Sequence, residues 1–356
     1  MVPPDTVPKR MAKPDLSRPA FTVIFSAAHR GRFPAQRKFW LQARPLSHTL
    51  APRMGSNAEV HGVLVVDKPP GPTSHDVVAQ ARKMYGTRRV GHTGTLDPMA
   101  TGVLVLLFGE ATKLSSLLSA SDKRYDARIV FGASTDSDDA EGTVTNTSLL
   151  LPNLADSRAI EAALSAERER QWQVPPAVSA IKQNGEPAYK AARMGLELVL
   201  EPRAVRLYEV HVLATGDNYL DVELHCSKGY YVRALARDLG AGLGCPAHLG
   251  KLRRVRNGSF GLDLAAAWPS SSPVPLMPIL EAVKQAMPTA QLAETGVRRA
   301  RCGQVLTVDD FLGLPEAFVQ RSLFAWLSGS ELIALGESFD DGTFRVKRGF
   351  AAESQA

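Results

Sequence analysis

An α+β fold, built on a mixed β-sheet with flanking helices, is what this sequence predicts, and two patterns predict it. Short apolar or alternating runs at 62–68, 102–108, 125–131 and 219–226 are each closed by Gly, Pro or Ser, as strands are. Helical segments fall between them irregularly, near 74–81, 157–168 and 231–239, without the steady strand–helix alternation of a wound parallel sheet. A chain of 356 residues with 44% hydrophobic and 22% charged residues has the make-up of a globular protein with room for two domains and an extension.

Residues 1–58 stand apart. They carry ten Lys/Arg against two Asp, with no acidic residue between Asp15 and Glu59, so the net +6 of the chain arises there and residues 59–356 carry −2. Rich in Pro and Arg and without periodicity, they read as a basic, disordered extension. Three origins remain open: an RNA-attracting tail, an Arg-rich transit peptide, or a mis-assigned start with translation beginning at Met54. A nucleic acid, if bound by the body of the protein, must be held by a local patch.

Order begins at His61. The run 62–68 ends in the rigid turn Pro69-Pro-Gly-Pro72, after which Thr73 or Ser74 caps a helix whose apolar face is Val77, Val78 and Ala81. The run 102–108 is the next strand, and 125–131 alternates with Tyr125, Ala127, Ile129 and Phe131 on one side. Gly240, Gly242 and Gly244 are expected to end the helix that starts near Tyr231. Trp268–Pro275, with Pro269-Ser-Ser-Ser-Pro273, is the best linker candidate. A helical segment over 280–287 and strand-like pieces at 324–326, 332–334 and 344–346 then predict a small β-rich C-terminal domain. No run reaches the roughly 18 apolar residues of a membrane span. Cys226, Cys245 and Cys302 are too scattered for a zinc site and fit reduced thiols in a cytoplasmic protein.

The segment richest in chemistry is Val90 to Leu104. Glycines at 91, 94 and 102 let the backbone approach a ligand closely, and Pro98 biases Asp97 toward an extended conformation. Asp97 is then placed as a nucleophile or base, or Asp97-Pro98 is simply a turn. No Gly-Lys-Ser/Thr follows for a phosphate loop, no Gly-x-Ser-x-Gly elbow is present, and the acidic run Asp136–Glu141 fails the calcium-loop pattern because Ala140 and Glu141 occupy its fifth and sixth positions. Lys251-Leu-Arg-Arg-Val-Arg256 is the densest cation run outside the extension, suited to phosphate contacts or to a solvated edge.

The stretch Gly91-His-Thr-Gly-Thr-Leu-Asp97-Pro-Met-Ala-Thr-Gly-Val-Leu104 closely resembles the catalytic motif of the TruB-type tRNA pseudouridine(55) synthases. Further segments match in the family's order: Asp67–Gly71 with Thr73-Ser74; Lys123-Arg-Tyr125 with Phe131-Gly132, Thr135–Asp138 and Glu141-Gly142; Gln173–Pro176 with Ser179-Ala180, Lys182, Gly185, Tyr189 and Ala192–Gly195; and Ser227–Arg233 with Arg237–Leu239. The resemblance covers about 61–262 and continues more weakly to about 350. Departures are Val178 for an aromatic, Phe131 for Leu and Ser137 for Thr.

The resemblance implies a pseudouridine synthase fold with a central mixed/antiparallel sheet. It implies a catalytic domain at 59–268, an RNA-binding insertion at 150–205, and a PUA-like or TruB-specific RNA-binding domain at 274–350. The implied reaction flips uridine 55 of the tRNA T loop out of its stack and isomerises it without metal or cofactor. Asp97 would be the nucleophile, attacking either the ribose or the base. Tyr125 would stack on the base and help remove the C5 proton, and Arg233 would pair with Asp97. His92, Lys68, Asp136 and Leu252 would stand at the substrate site, near the phosphate contacts for which the cation run itself singles out Lys251, Arg253 and Arg254. The partner implied is the T-arm of tRNA, bound by a monomer needing neither membrane nor protein partner. A guide-RNA-dependent synthase of the ribonucleoprotein type and a non-catalytic tRNA-binding or folding protein are the alternatives.

Overall fold

A computed structural model describes residues 60–149, 152–178, 182–183, 186–187, 200–315 and 321–351. The basic extension, the start at Met54 and much of the insertion, including Ser179-Ala180, Gly185, Tyr189 and Ala192–Gly195, lie outside the described residues.

The main sheet has nine strands: β1 (Gly62–Lys68), β2 (Val90–His92), β3 (Thr101–Phe108), β4 (Lys123–Phe131), β5 (Leu207–Thr215), β6 (Tyr219–Cys226), β7 (Ala247–Asn257), β8 (Phe260–Gly261) and β9 (Ala266–Ala267). Their order is β5-β6-β4-β7-β3-β1-β9, with β2 on β3 and β8 on β7. The pairs β7/β3 and β1/β9 are parallel and the others along this order antiparallel, so the sheet is mixed, as the sequence predicts.

Alternation explains its two faces. Leu64, Val66, Leu104, Leu106, Tyr125, Ala127 and Ile129 point into a core with the helices α1 (Ser74–Tyr85), α2 (Ser157–Glu169) and α3 (Val232–Gly242). Val63, Val65, Val103, Val105 and Leu107 point the other way, against α4 (Ile279–Ala286) and a second sheet. The unbroken apolar run 102–108 thus reflects burial of β3 on both faces. The second sheet holds β10 (Thr289–Leu292), β11 (Phe311–Gly313), β12 (Leu323–Ser328), β13 (Glu331–Ser338) and β14 (Phe344–Gly349) in the order β11-β10-β12-β13-β14, with α5 (Glu294–Arg301) packed on it. No helix among the described residues is long and apolar enough to cross a membrane.

The predicted cap of α1 is present: Thr73 accepts from the Asp76 N–H while Asp76 accepts from the Thr73 N–H, a capping box. Two expectations are corrected. Gly240 and Gly242 lie inside α3, which ends at Leu243 before Gly244 in the left-handed region (φ 68°). A Cβ at Gly240 would fall 2.6 Å from the Cβ of Ala247, so this glycine serves close packing of helix on strand. The stretch 268–275 is no free linker. Trp268 is buried and bonds Gln80 through its indole N–H, while Val274 exchanges hydrogen bonds with the Tyr85 hydroxyl, both on α1.

At the start of β3, Gly102 has φ 102°, and a Cβ there would lie 2.2 Å from the Arg254 carbonyl oxygen on β7. Gly102→Ala is therefore expected to cost about 1–3 kcal/mol from backbone strain alone and to lower the thermal midpoint by roughly 5 °C or more, read by circular dichroism.

Candidate active site

Residues 93–98 cross from β2 to β3 as an irregular loop, and each consecutive carbonyl in it is satisfied. Asn257 Nδ2 donates to Thr93 O (2.9 Å), Arg254 Nη2 to Gly94 O (3.1 Å) and Arg254 Nη1 to Thr95 O (3.4 Å). Ser74 Oγ donates to Leu96 O (3.1 Å) and accepts from the Leu96 N–H (2.8 Å). The Ala100 N–H bonds Asp97 O, and the Gly71 N–H and Lys68 Nζ (3.1 Å) bond Pro98 O. A loop whose carbonyls are all bonded holds its side chains in one geometry.

That geometry presents Asp97 to Arg233. The guanidinium Nε lies 3.0 Å from Oδ2 and Nη2 donates to Oδ1 at 3.3 Å, a two-pronged pair reaching from the first turn of α3. Arg233 is 6% exposed, and its Nη1 is taken up by Ser137 O and Val178 O, each at 2.9 Å, with Asp139 Oδ2 at 3.4 Å. The Asp97 side chain keeps 34% of its surface open to a cleft of about 490 Å3. Tyr125 and Leu252 wall this cleft, and Tyr231 and Arg203 also line it. A larger hollow of about 660 Å3 lies between α2 and β5, away from Asp97, and contains none of these groups.

Burial pushes the Asp97 carboxyl above its usual range; Arg233 draws it back, the Asp139 charge raises it and Lys68 lowers it. Burial lowers the Lys68 ammonium to about 8, which leaves it mainly charged at neutral pH, with three N–H groups directed to Pro69 O, Pro72 O and Pro98 O. Burial raises the Tyr125 phenol to about 12, so at neutral pH the ring is uncharged. Burial, and then the neighbouring His75, lower His92.

The residues singled out from sequence part into two groups. Asp97, Tyr125, Arg233 and Leu252 meet at the cleft, with Lys68 beneath the loop. His92 sits on β2 with its ring edge-on to His75 at 5.5 Å, and it does not line the cleft. Asp136 is exposed and closes a turn by accepting from the Thr143 N–H (2.9 Å); the acidic group beside Arg233 is Asp139, three residues on. The expected phosphate contacts of 251–256 are corrected in part. Lys251 is exposed, but Arg253 pairs two-pronged with Asp67 (2.7 and 3.1 Å), and Arg254, 1% exposed, is spent on the loop and on Val103 O (2.7 Å). These charges lie on β7, a central strand where alternation turns some inward. The cations exposed at the cleft mouth are Arg203, from the insertion, and Lys228, between the lining residues Ser227 and Gly229. Sequence reasoning missed Arg203, Asp139 and Lys228. The Ser227-Lys-Gly229 turn was the one available signal.

Comparison with known proteins finds similarity over most of the described chain. Residues 82–232 match the model of the TruB family pseudouridylate synthase N-terminal domain. The chain is 52% identical over 209 residues to tRNA pseudouridine synthase B of Mycobacteroides abscessus, covering 57% of this chain and 70% of that one. It is 46% identical over 254 residues to the enzyme of the same name from Cutibacterium acnes, covering 69% and 85%. With that of Opitutus terrae it shares 44% over 235 residues, covering 66% and 95%. Among solved structures, a Cbf5-Nop10-Gar1 complex superposes with a TM-score of 0.61 at 24% identity, covering 83% and 84%, a likeness of fold.

The carboxyl of Asp97, followed by 13C NMR against pH, is expected to titrate above the ordinary aspartate value of about 3.9. In Arg233→Gln, where the stabilising cation is gone and burial remains, the midpoint moves higher still. A midpoint that falls in this variant would contradict the pairing.

Proposed function

The chain belongs to the tRNA pseudouridine synthase B family, and on that premise we propose that it isomerises uridine 55 of the tRNA T loop, with Asp97 as nucleophile. The observation that carries this reading is the Asp97 carboxylate, gripped by Arg233 on the floor of a cleft walled by an aromatic ring.

The chemistry asks for little else. The bond from ribose C1′ to uracil N1 breaks, the base turns, and C1′ joins C5. C5 gives up a proton and N1 is left with one, so composition is unchanged. Asp97, attacking C1′ or the uracil ring, holds one fragment while the other moves. A uridine drawn out of its stack loses its neighbouring faces, and Tyr125 with Leu252 supplies replacements. Stacking needs only the neutral ring, the form Tyr125 keeps at neutral pH. A part in removing the C5 proton would require its hydroxyl to pass a proton onward.

The paired charge also serves the reaction. Arg233 keeps the carboxylate ionised against the desolvation that a bound base would impose, and its Nη1 donors are already engaged by backbone carbonyls. Arg203 and Lys228 at the mouth suit the phosphates on either side of a flipped nucleotide, positioning it without reading its sequence. We propose that bare tRNA is the substrate of a single copy of the chain, in the cytoplasm and without a guide RNA.

Asp97→Asn is expected to reduce tritium release from C5-labelled uridine in bare tRNA to background while tRNA binding survives; unchanged release would sink the mechanism. Removing Arg203 and Lys228 together as Gln should raise the tRNA dissociation constant and lower the slope of log affinity against log salt by about one per charge. Arg253→Gln, which breaks an internal pair, should leave that slope where it was and lower the melting temperature instead.

A further inference from the structure

Residues 173–178 lie along the start of α3 and bond it at three places. The Gln173 side chain exchanges hydrogen bonds with the Tyr231 backbone, Val174 O accepts from Arg237 Nη2 (3.0 Å), and Val178 O accepts from Arg233 Nη1 (2.9 Å). The first of these contacts has no part in the mechanism above.

Gln173 is 1% exposed, and a buried amide is costly unless both of its ends are bonded. Here both are. Oε1 accepts from the Tyr231 N–H at 2.8 Å, and Nε2 donates to Tyr231 O at 3.1 Å. Tyr231 is the N-cap residue of α3, and its own side chain makes no capping hydrogen bond. In a capping box, a side chain from the helix's own first turn bonds the N-cap N–H. In α3 that bond comes from a glutamine 58 residues away in sequence. The middle and far end of α3 are held by other means, through buried Leu235 and Leu239 and the close approach of Gly240 to Ala247. Gln173 therefore governs the first turn in particular, and Arg233 is the second residue of that turn.

We propose that Gln173 is a positioning residue for the isomerisation: by capping α3 from outside, it aims the Arg233 fork at both oxygens of Asp97. The fork meets Oδ2 at 3.0 Å and Oδ1 at 3.3 Å at once, so a small rotation of the first turn breaks one prong. The proposal rests on the functional reading above for its catalytic consequence, but its geometric core does not.

The test uses the full chain carrying Gln173→Met, which keeps length and burial and loses both bonds. Single-turnover pseudouridine formation on tRNA transcript is expected to fall about tenfold to a hundredfold, with tRNA affinity retained. Asp97 faces Arg233, Asp139, Lys68, Tyr125 and Tyr231; the substitution loosens Arg233 and Tyr231, and of these two only Arg233 carries a charge at neutral pH, since burial raises the Tyr231 phenol. The acid limb of the rate profile and the 13C midpoint of Asp97 should therefore both move to higher pH. Gln173→Asn, which keeps an uncharged amide one methylene short of Tyr231, should show a smaller loss of rate, and it serves if the Met variant fails to fold. A lowered melting temperature with unchanged rate, acid limb and midpoint would overturn the proposal. If the wild-type chain made no pseudouridine, the functional reading would fall, while the Asp97 midpoint would still decide whether Gln173 aims Arg233.

Discussion

The carboxylate of Asp97 and the guanidinium of Arg233 form the contact around which the rest of the site is arranged. A carboxylate in a partly dry cleft tends to take up a proton. The guanidinium opposes that tendency, but it is itself a buried cation and would be costly alone. Its remaining donors are met by two backbone carbonyls and by Asp139, so neither charge is left uncompensated. Losing one member of such a buried pair commonly costs about 3–5 kcal/mol, because the other is stranded. Asp97 keeps a third of its surface open, so its share of that cost is smaller than for a fully enclosed pair.

Buried cations also build the loop that carries Asp97. Lys68 and Arg254 are almost wholly enclosed, and both spend their donors on backbone carbonyls, including those of Gly94, Thr95 and Pro98. Glycine makes the close backbone approaches possible, and the cations satisfy the carbonyls that the irregular path leaves without strand partners. Within the cation run 251–256, Arg253 and Arg254 are thus structural. The exposed cations at the mouth are few, and residues 59–356 carry no net positive charge.

The second sheet is joined to this arrangement from behind. The face of β1 and β3 opposite the site shares a hydrophobic core with α4, β12 and β13, so the C-terminal strands brace the strand that ends the Asp97 loop. The backbone exchange between Val63 and Met277 extends the connection to the chain just past the proline-rich stretch. A stretch that looks like a tether by composition is pinned at both ends because Trp268 and Val274 find partners on α1.

Much of the scaffold was legible from the chain alone. The strands β1, β3, β4 and β6, the face and cap of α1 and the β-rich C-terminal region follow from period-two alternation, helical spacing and turn residues, which act over a few neighbouring residues. The motif around Asp97 was legible as well, since its glycines and proline shape the backbone locally, and the match to a family supplied Tyr125 and Arg233. The tertiary structure alone decided that Arg253 and Arg254 are spent on internal partners. It also decided that Asp139 and not Asp136 meets Arg233, and that Gln173 caps a helix distant in sequence. Those outcomes depend on the register of β3, β4 and β7 and on which segments the sheet brings side by side. A slip of one residue in a strand sends every side chain to the opposite face, and no local property of a lysine, arginine or aspartate records which face it will take.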